Sequence, residues 1–254
     1  MIHAPTTPAS SLAPHAPLRR YYADERQHRS FVRDIFDQGA ADYDRVEWLM
    51  AFGTGSRYRN EALRRAGLRP GMKVLDVAVG TGLVARQAVE IVGDPHLVFG
   101  IDPSAGMLAE ARKNLSICAI RASAEYLPLA SESFDFLSMG YALRHMSDLA
   151  TTLREFHRVL KPGGVVCILE ITRPQGRIAT TLVRWYMRAI VPLLSRLTCR
   201  GRGSLLWEYY WDTIEACIPP QRVLEALSLA GFADVKQSVQ FGIFSEYRGV
   251  KRKE

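Results

Sequence analysis

From Lys73 onward, short runs rich in Val, Ile and Leu alternate with amphipathic segments of helical spacing. Lys73 to Ala78 is followed by Leu83 to Val92, His96 to Ile101 by Met107 to Asn114, and Phe134 to Met139 by Leu149 to Leu160 before Val165 to Ile171. Each amphipathic segment must carry the chain back to the same end of a sheet, so this order predicts a doubly wound, mostly parallel α/β sheet of seven strands. The helix Arg222 to Ala230 is stopped by Gly231, and strand-like runs around Val235 and Ile243 close the sheet. Residues 24–66 place apolar side chains at helical spacing (Phe31, Ile35; Val46, Leu49, Met50) and end at Gly67 and Pro70-Gly71, predicting a helical cap. Residues 176–217 interrupt the α/β rhythm with an aromatic and basic helical insertion or lid. Residues 1–20, rich in Pro, Ala and Ser without periodicity, are expected to form a disordered tail ahead of one domain over 21–254.

Composition narrows the function classes. No apolar run reaches the roughly 18 residues of a membrane span, and Cys118, Cys167, Cys199 and Cys217 lie far apart with no Cys-x-x-Cys pair, so no metal site is expected from cysteine. The net charge of +7 is carried by scattered Lys and Arg, without the aromatic-basic box or finger spacing of a nucleic-acid binder. A reducing cytoplasm is expected, with attraction to the inner-membrane surface and no nucleic-acid partner.

The chemistry concentrates at two acids. Asp76-Val77-Ala78-Val79-Gly80-Thr81-Gly82 follows a strand and opens a helix, and its small residues let backbone approach a ligand at the switch point of the sheet. The spacing is not the Gly-x-Gly-x-x-Gly of a dinucleotide site, and an acid ends the strand before it, which favours an amino-acid-bearing nucleoside. Asp102, at the end of the next strand, is placed to accept both hydroxyls of a ribose.

With Ser123-Ala124-Glu125-Tyr126-Leu127-Pro128, Ser133-Phe134-Asp135-Phe136 and Leu160-Lys161-Pro162-Gly163-Gly164, these blocks resemble the class I S-adenosylmethionine (SAM) methyltransferases, whose Rossmann-like fold they imply. The rest, from about Val32 to Lys251, is similar to the UbiE family of ubiquinone and menaquinone C-methyltransferases. The early block is Phe36 through Tyr43-Asp44, with Leu49-Met50 and Phe52-Gly53. The late block is Asp212-Thr213-Ile214, Pro219 and Ala230-Gly231-Phe232. The resemblance implies SAM held by Asp76, Ala78, Gly80 and Gly82 at its methionine end, Asp102 at the ribose, and Ser123 and Ala124 at the adenine edge. It implies a lipophilic quinone ring as substrate, with Tyr43, Asp44, Tyr141 and Tyr210 in its pocket. Arg144 stands at the family's Arg after the fourth strand; it is expected to stabilise a developing phenolate while His145 acts as general base.

The chain departs from the pattern on the substrate side. The acid that follows the glycine loop in the family is Leu83 here, its Asn after Arg is His145, its Asn before Leu-Met is Glu47, and its His-Arg in the cap is Gly55-Ser56. Such changes also fit the rhodoquinone-biosynthesis (RquA-like) branch, which resembles the same scaffold but uses SAM as an amino donor together with a divalent metal, manganese. A non-catalytic SAM- or quinone-binding protein is a third reading.

Overall fold

The computed structural model describes residues 12–51, 53–174, 176–193 and 203–253. Strand β1 (Val74–Val77) is buried along its whole length, and its alternate side chains feed two cores. Leu75 and Val77 join Leu137, Phe156 and Leu227 on one face, while Val74 joins Ala85, Ile91 and Phe136 on the other, as the two-residue period of a strand buried on both faces requires. The remaining strands are β2 (Val98–Asp102), β3 (Cys118–Arg121), β4 (Phe134–Gly140), β5 (Leu160–Ile171), β6 (Phe232–Gln240) and β7 (Phe244–Lys251). Their order is β3-β2-β1-β4-β5-β7-β6. β1 pairs in parallel with both β2 and β4, and β7 runs antiparallel to β5 and β6.

The connections from β1 and β4 leave in opposite directions, so a crevice opens at their C-terminal ends, where open α/β sheets bind ligands. Helices α3 (Leu83–Val92), α4 (Ala105–Asn114) and α5 (Leu149–Val159) return the chain. Ser104 caps α4 by accepting from the Met107 N–H at 3.0 Å, and Asp148 caps α5 by accepting from Ala150 at 3.1 Å.

The crevice is roofed by the cap and the insertion. Helices α1 (Glu25–Met50) and α2 (Gly55–Ala66) come from the cap; α6 (Arg177–Trp185), continued by a π-helical turn at Tyr186–Ile190, and α7 (Gly203–Ala216) come from the insertion. Ile35 and Val46 of α1 pack with Met187, Trp207, Tyr210 and Trp211 in a third, aromatic core. Helix α8 (Pro220–Leu229) then leads into β6.

The expectation of a tail over 1–20 needs correction from Leu12 onward; residues 1–11 lie outside the described residues. Leu12 donates its N–H to the Asp148 carboxylate at 3.1 Å, its carbonyl accepts from Leu149, and the Pro14 carbonyl accepts from Ile218. His15 and Tyr22 are buried. Composition misled here because this segment orders itself on partners from distant elements, which local periodicity cannot reveal.

Candidate active site

The loop after β1 takes a left-handed turn three times, at Ala78 (φ 55°), Gly80 (φ 57°) and Gly82 (φ 93°). At Gly80 a Cβ would meet nothing within 4 Å, so the backbone there faces open space, whereas at Gly82 a Cβ would strike the Leu115 side chain. Gly80 is thus a ligand-facing glycine and Gly82 a packing glycine. Ala78, Gly80, Asp102, Ser123 and Ala124 share the wall of one cavity of about 240 Å³ at the sheet switch point. The Asp102 carboxylate is fixed by the N–H groups of Gly80 (2.9 Å) and Ser104 (2.8 Å). Burial raises its pKa to about 6 while those two donors pull it down.

Asp76 differs from the sequence expectation, because it lies beneath the loop and off the cavity wall. Only 1% exposed, it accepts from the Ser138 hydroxyl at 2.7 Å, and its other oxygen is buried without a hydrogen-bond partner. Burial pushes its pKa up to about 7, against the Ser138 hydroxyl and the Ala85 N–H.

Helix α1 closes over this loop through two carboxylates. Asp37 accepts from the Ser104 hydroxyl at 2.5 Å and the Gly106 N–H at 2.8 Å, binding α1 to the start of α4. Asp44 accepts from the Thr81 hydroxyl at 2.5 Å. Asp44 therefore belongs to the clasp on the glycine loop and lines neither cavity, contrary to its expected place in the substrate pocket.

His145 and Arg144, neighbours in sequence, point to different places. His145 lines the 240 Å³ cavity, stacked on Tyr209 (centroids 5.4 Å apart) and edge-on to Phe36 (5.2 Å), with neither ring nitrogen hydrogen-bonded. Burial, together with the charge of Arg144, holds its pKa well below the usual histidine value. It is a neutral imidazole near pH 7 and a weaker base than the sequence suggests. Arg144 is fully buried and lines neither cavity. Its guanidinium pairs with Glu170, donates to Thr213 Oγ1 at 3.1 Å and the Tyr141 carbonyl at 2.9 Å, and lies 4.0 Å from the Tyr210 ring centroid. With its charge neutralised inside the protein, Arg144 holds the loop after β4 against α7 instead of meeting a substrate.

A second cavity, about 760 Å³, lies between α2, α6, α7 and the β6–β7 turn, walled by Met187, Tyr210, Trp211, Ile214 and Phe244 among others. The aromatic insertion thus supplies much of its wall. Tyr43, Arg59 and Tyr141 belong to the walls of both cavities. Arg59, 3% exposed, donates to Glu47 at 2.5 Å and lies 5.5 Å from the Tyr141 ring centroid. Sequence reasoning noted Glu47 and Gly55 as departures but missed Arg59. Only the helical register of α2, which turns Arg59 inward beside Tyr58, Ala62 and Leu63, could have singled it out.

A seven-stranded sheet of this order, with a glycine loop and an acid-ended second strand at its switch point, defines a SAM-dependent methyltransferase fold. Residues 22–251 match the model of the ubiE/COQ5 methyltransferase family. The chain is 33% identical to a demethylmenaquinone methyltransferase of Geobacillus stearothermophilus over 92% of this chain and 100% of that one. It is 32% identical to a UbiE ubiquinone/menaquinone biosynthesis C-methyltransferase of Coxiella burnetii, covering 87% and 90%. A SAM-dependent methyltransferase structure from Thermotoga maritima superposes with a TM-score of 0.62 at 21% identity, covering 87% and 99%; that likeness concerns the fold. The chain belongs to the ubiE/COQ5 methyltransferase family.

Proposed function

We propose that this enzyme methylates a ring carbon of a lipophilic quinol, as the names of its relatives describe for theirs. The observation that carries the reading is the shared wall: Tyr43, Arg59 and Tyr141 separate a cavity lined by the glycine loop and Asp102 from a larger aromatic one, so a donor in the first and a ring in the second meet at one boundary. The residues present fit SAM: Gly80 leaves room for a ligand against its backbone, and Asp102 is held with its carboxylate on the wall. Ala78 and Gly80 hold the amino-acid end, Asp102 the ribose hydroxyls, and Ser123 and Ala124 the adenine edge. Asp76 and Gly82 shape the loop from below. When bound, SAM supplies an electrophilic methyl group. Neutral His145 offers a ring nitrogen to a hydroxyl without burying a new charge.

The lipid tail leaves along α6. Leu182 and Phe241 sit on the rim of the larger cavity, and Ile178, Leu182 and Trp185, at positions i, i+4 and i+7 of α6, are 79%, 62% and 61% exposed. With Arg173 and Arg177 also exposed, this face suits peripheral contact with an anionic membrane on the cytoplasmic side. Among the described residues no helix is long and apolar enough to cross a membrane.

Amino transfer is a second reading, favoured by Leu83 on the wall of the donor cavity in place of the family's acid. Its divalent metal lacks a fitting donor set, because among the described residues no three His, Cys, Asp or Glu side chains converge. Mass spectrometry of the quinone pool tests both, in a ubiquinone-producing bacterium and in its derivative lacking the C-methyltransferase. A restored methylated quinone supports the first reading, and an amino-for-methoxy ubiquinone overturns it in favour of the second.

A further inference from the structure

Two positions at which this chain departs from the family pattern, Glu47 and Gly55, meet Arg59 at one point in space. Glu47 of α1 reaches Arg59 of α2 at 2.5 Å. Gly55, at the start of α2, lies so close that a Cβ there would stand 2.6 Å from Glu47 Oε1 and 2.7 Å from Arg59 Nη1. The ion pair occupies the space that any side chain at residue 55 would take. It also stands at the boundary of the two cavities, where Arg59 Nε is buried without a hydrogen-bond partner. A buried cation with an unused donor, beside a carboxylate that retains acceptor capacity, matches one chemistry: an aromatic hydroxyl that must lose its proton.

We propose that Glu47 and Arg59 ionise the substrate ring: Glu47 takes the proton of a ring hydroxyl while Arg59 donates a hydrogen bond to the oxygen left behind. This rests on the quinol reading above and assigns the base that His145 and Leu83 do not provide. The ring O–H bond breaks and a Glu47 Oε–H bond forms. The electron pair stays on the ring oxygen and is shared into the ring carbon that accepts the methyl group. That carbon afterwards gives its own proton to water, and the oxygen recovers a proton from Glu47, so one proton reaches solvent per turnover. The other ionisable groups at the boundary are Tyr43 from α1, Tyr141 from the loop after β4 and Tyr210 from α7. Burial raises the pKa of all three, so they stay neutral and do not compete as anions. Of the charges farther along the cavity wall, Arg57 pairs with Glu61 at 2.8 Å and Arg65 with Glu246 at 2.6 Å.

The test combines turnover with a probe that reports ionisation directly. Binding of 4-nitrophenol, whose anion is yellow, is followed by absorbance in the full-length protein across a pH series, alongside S-adenosylhomocysteine affinity by calorimetry. Glu47→Gln is expected to lower kcat by about 100-fold or more with KM nearly unchanged, because the weakly acidic quinol hydroxyl stays protonated without its acceptor, while bound 4-nitrophenol, acidic enough to ionise without one, does so at lower pH than in wild type because Arg59 is no longer neutralised. Arg59→Met is expected to abolish that ionisation shift. Gly55→Ala retains both charges and displaces the pair, so it is expected to lower kcat without loss of fold or S-adenosylhomocysteine affinity. Wild-type-like kcat in Glu47→Gln, or equal losses of probe binding and turnover with no change in the probe's ionisation, overturns the assignment. If wild type itself turns over no quinol yet shifts the probe, the quinol reading fails and the ionising pair stands.

Discussion

Replacing Arg144 by Met distinguishes a framework role from a catalytic one. The guanidinium is buried with its main partner, Glu170, which is 1% exposed, and it also holds Thr213 and the Tyr141 carbonyl. Removing one member of a buried ion pair leaves an uncompensated charge and costs about 3–5 kcal/mol, which for a chain of this size lowers Tm on the order of 10 °C. The loss depends on pH. Burial already raises the Glu170 pKa, with Arg144 the chief opposing influence. In Arg144→Met that pKa rises further, so the destabilisation is greatest at high pH and eases as acid protonates Glu170. Urea unfolding of Arg144→Met, Glu170→Gln and the double variant between pH 5.5 and 8.5 should show the double variant recovering most of the loss. A fully stable Arg144→Met with turnover abolished would refute the framework role and return Arg144 to the chemistry.

Three further outcomes are expected of buried ionisable side chains. Asp102→Ala should weaken SAM binding on the order of 100-fold, the worth of a charge-assisted hydrogen bond; unchanged affinity by calorimetry would contradict the cofactor assignment. Because burial raises Asp76 to about 7 from 3.8, the ligand-free protein should lose stability as pH rises between those values, and Asp76→Asn, which retains an acceptor for Ser138, should flatten that slope in thermal melts. His28 is lowered by burial to about 4 from 6.5, so its contribution is present above 6.5 and is lost as pH falls toward 4. His28→Phe should reduce that acid sensitivity in denaturant titrations, and an unaltered profile would assign it elsewhere.

The sheet was legible because alternation of buried runs and amphipathic segments is a local signal, and so was the glycine loop, whose spacing is set by the backbone turn it must make. Asp102, Ser123 and Ala124 lie where strand ends put them. What escaped the sequence depends on side-chain direction across long separations. Asp44 and Asp76 look alike as acids near the site, yet one clasps Thr81 and the other lies under the loop. Arg144 and His145 are adjacent, and the short 3-10 turn at Leu143–His145 sends one inward to Glu170 and the other to the cavity wall. Arg59 is one arginine among many, marked only by Glu47, twelve residues earlier on another helix. The segment from Leu12 looked like a tail because its partners, Asp148 and Ile218, lie far along the chain.

The central claim is that donor and ring meet at the wall of Tyr43, Arg59 and Tyr141 and that a methyl group passes there. The most direct measurement supplies the purified enzyme with SAM carrying a trideuteromethyl group and a reduced demethylated quinol in anionic lipid vesicles, followed by mass spectrometry of the extracted quinone. The account predicts a product heavier by one trideuteromethyl group in place of a ring hydrogen, with S-adenosylhomocysteine formed in equal amount. Consumption of SAM with no deuterium in the quinone, or a quinone that gains nitrogen instead, would contradict it.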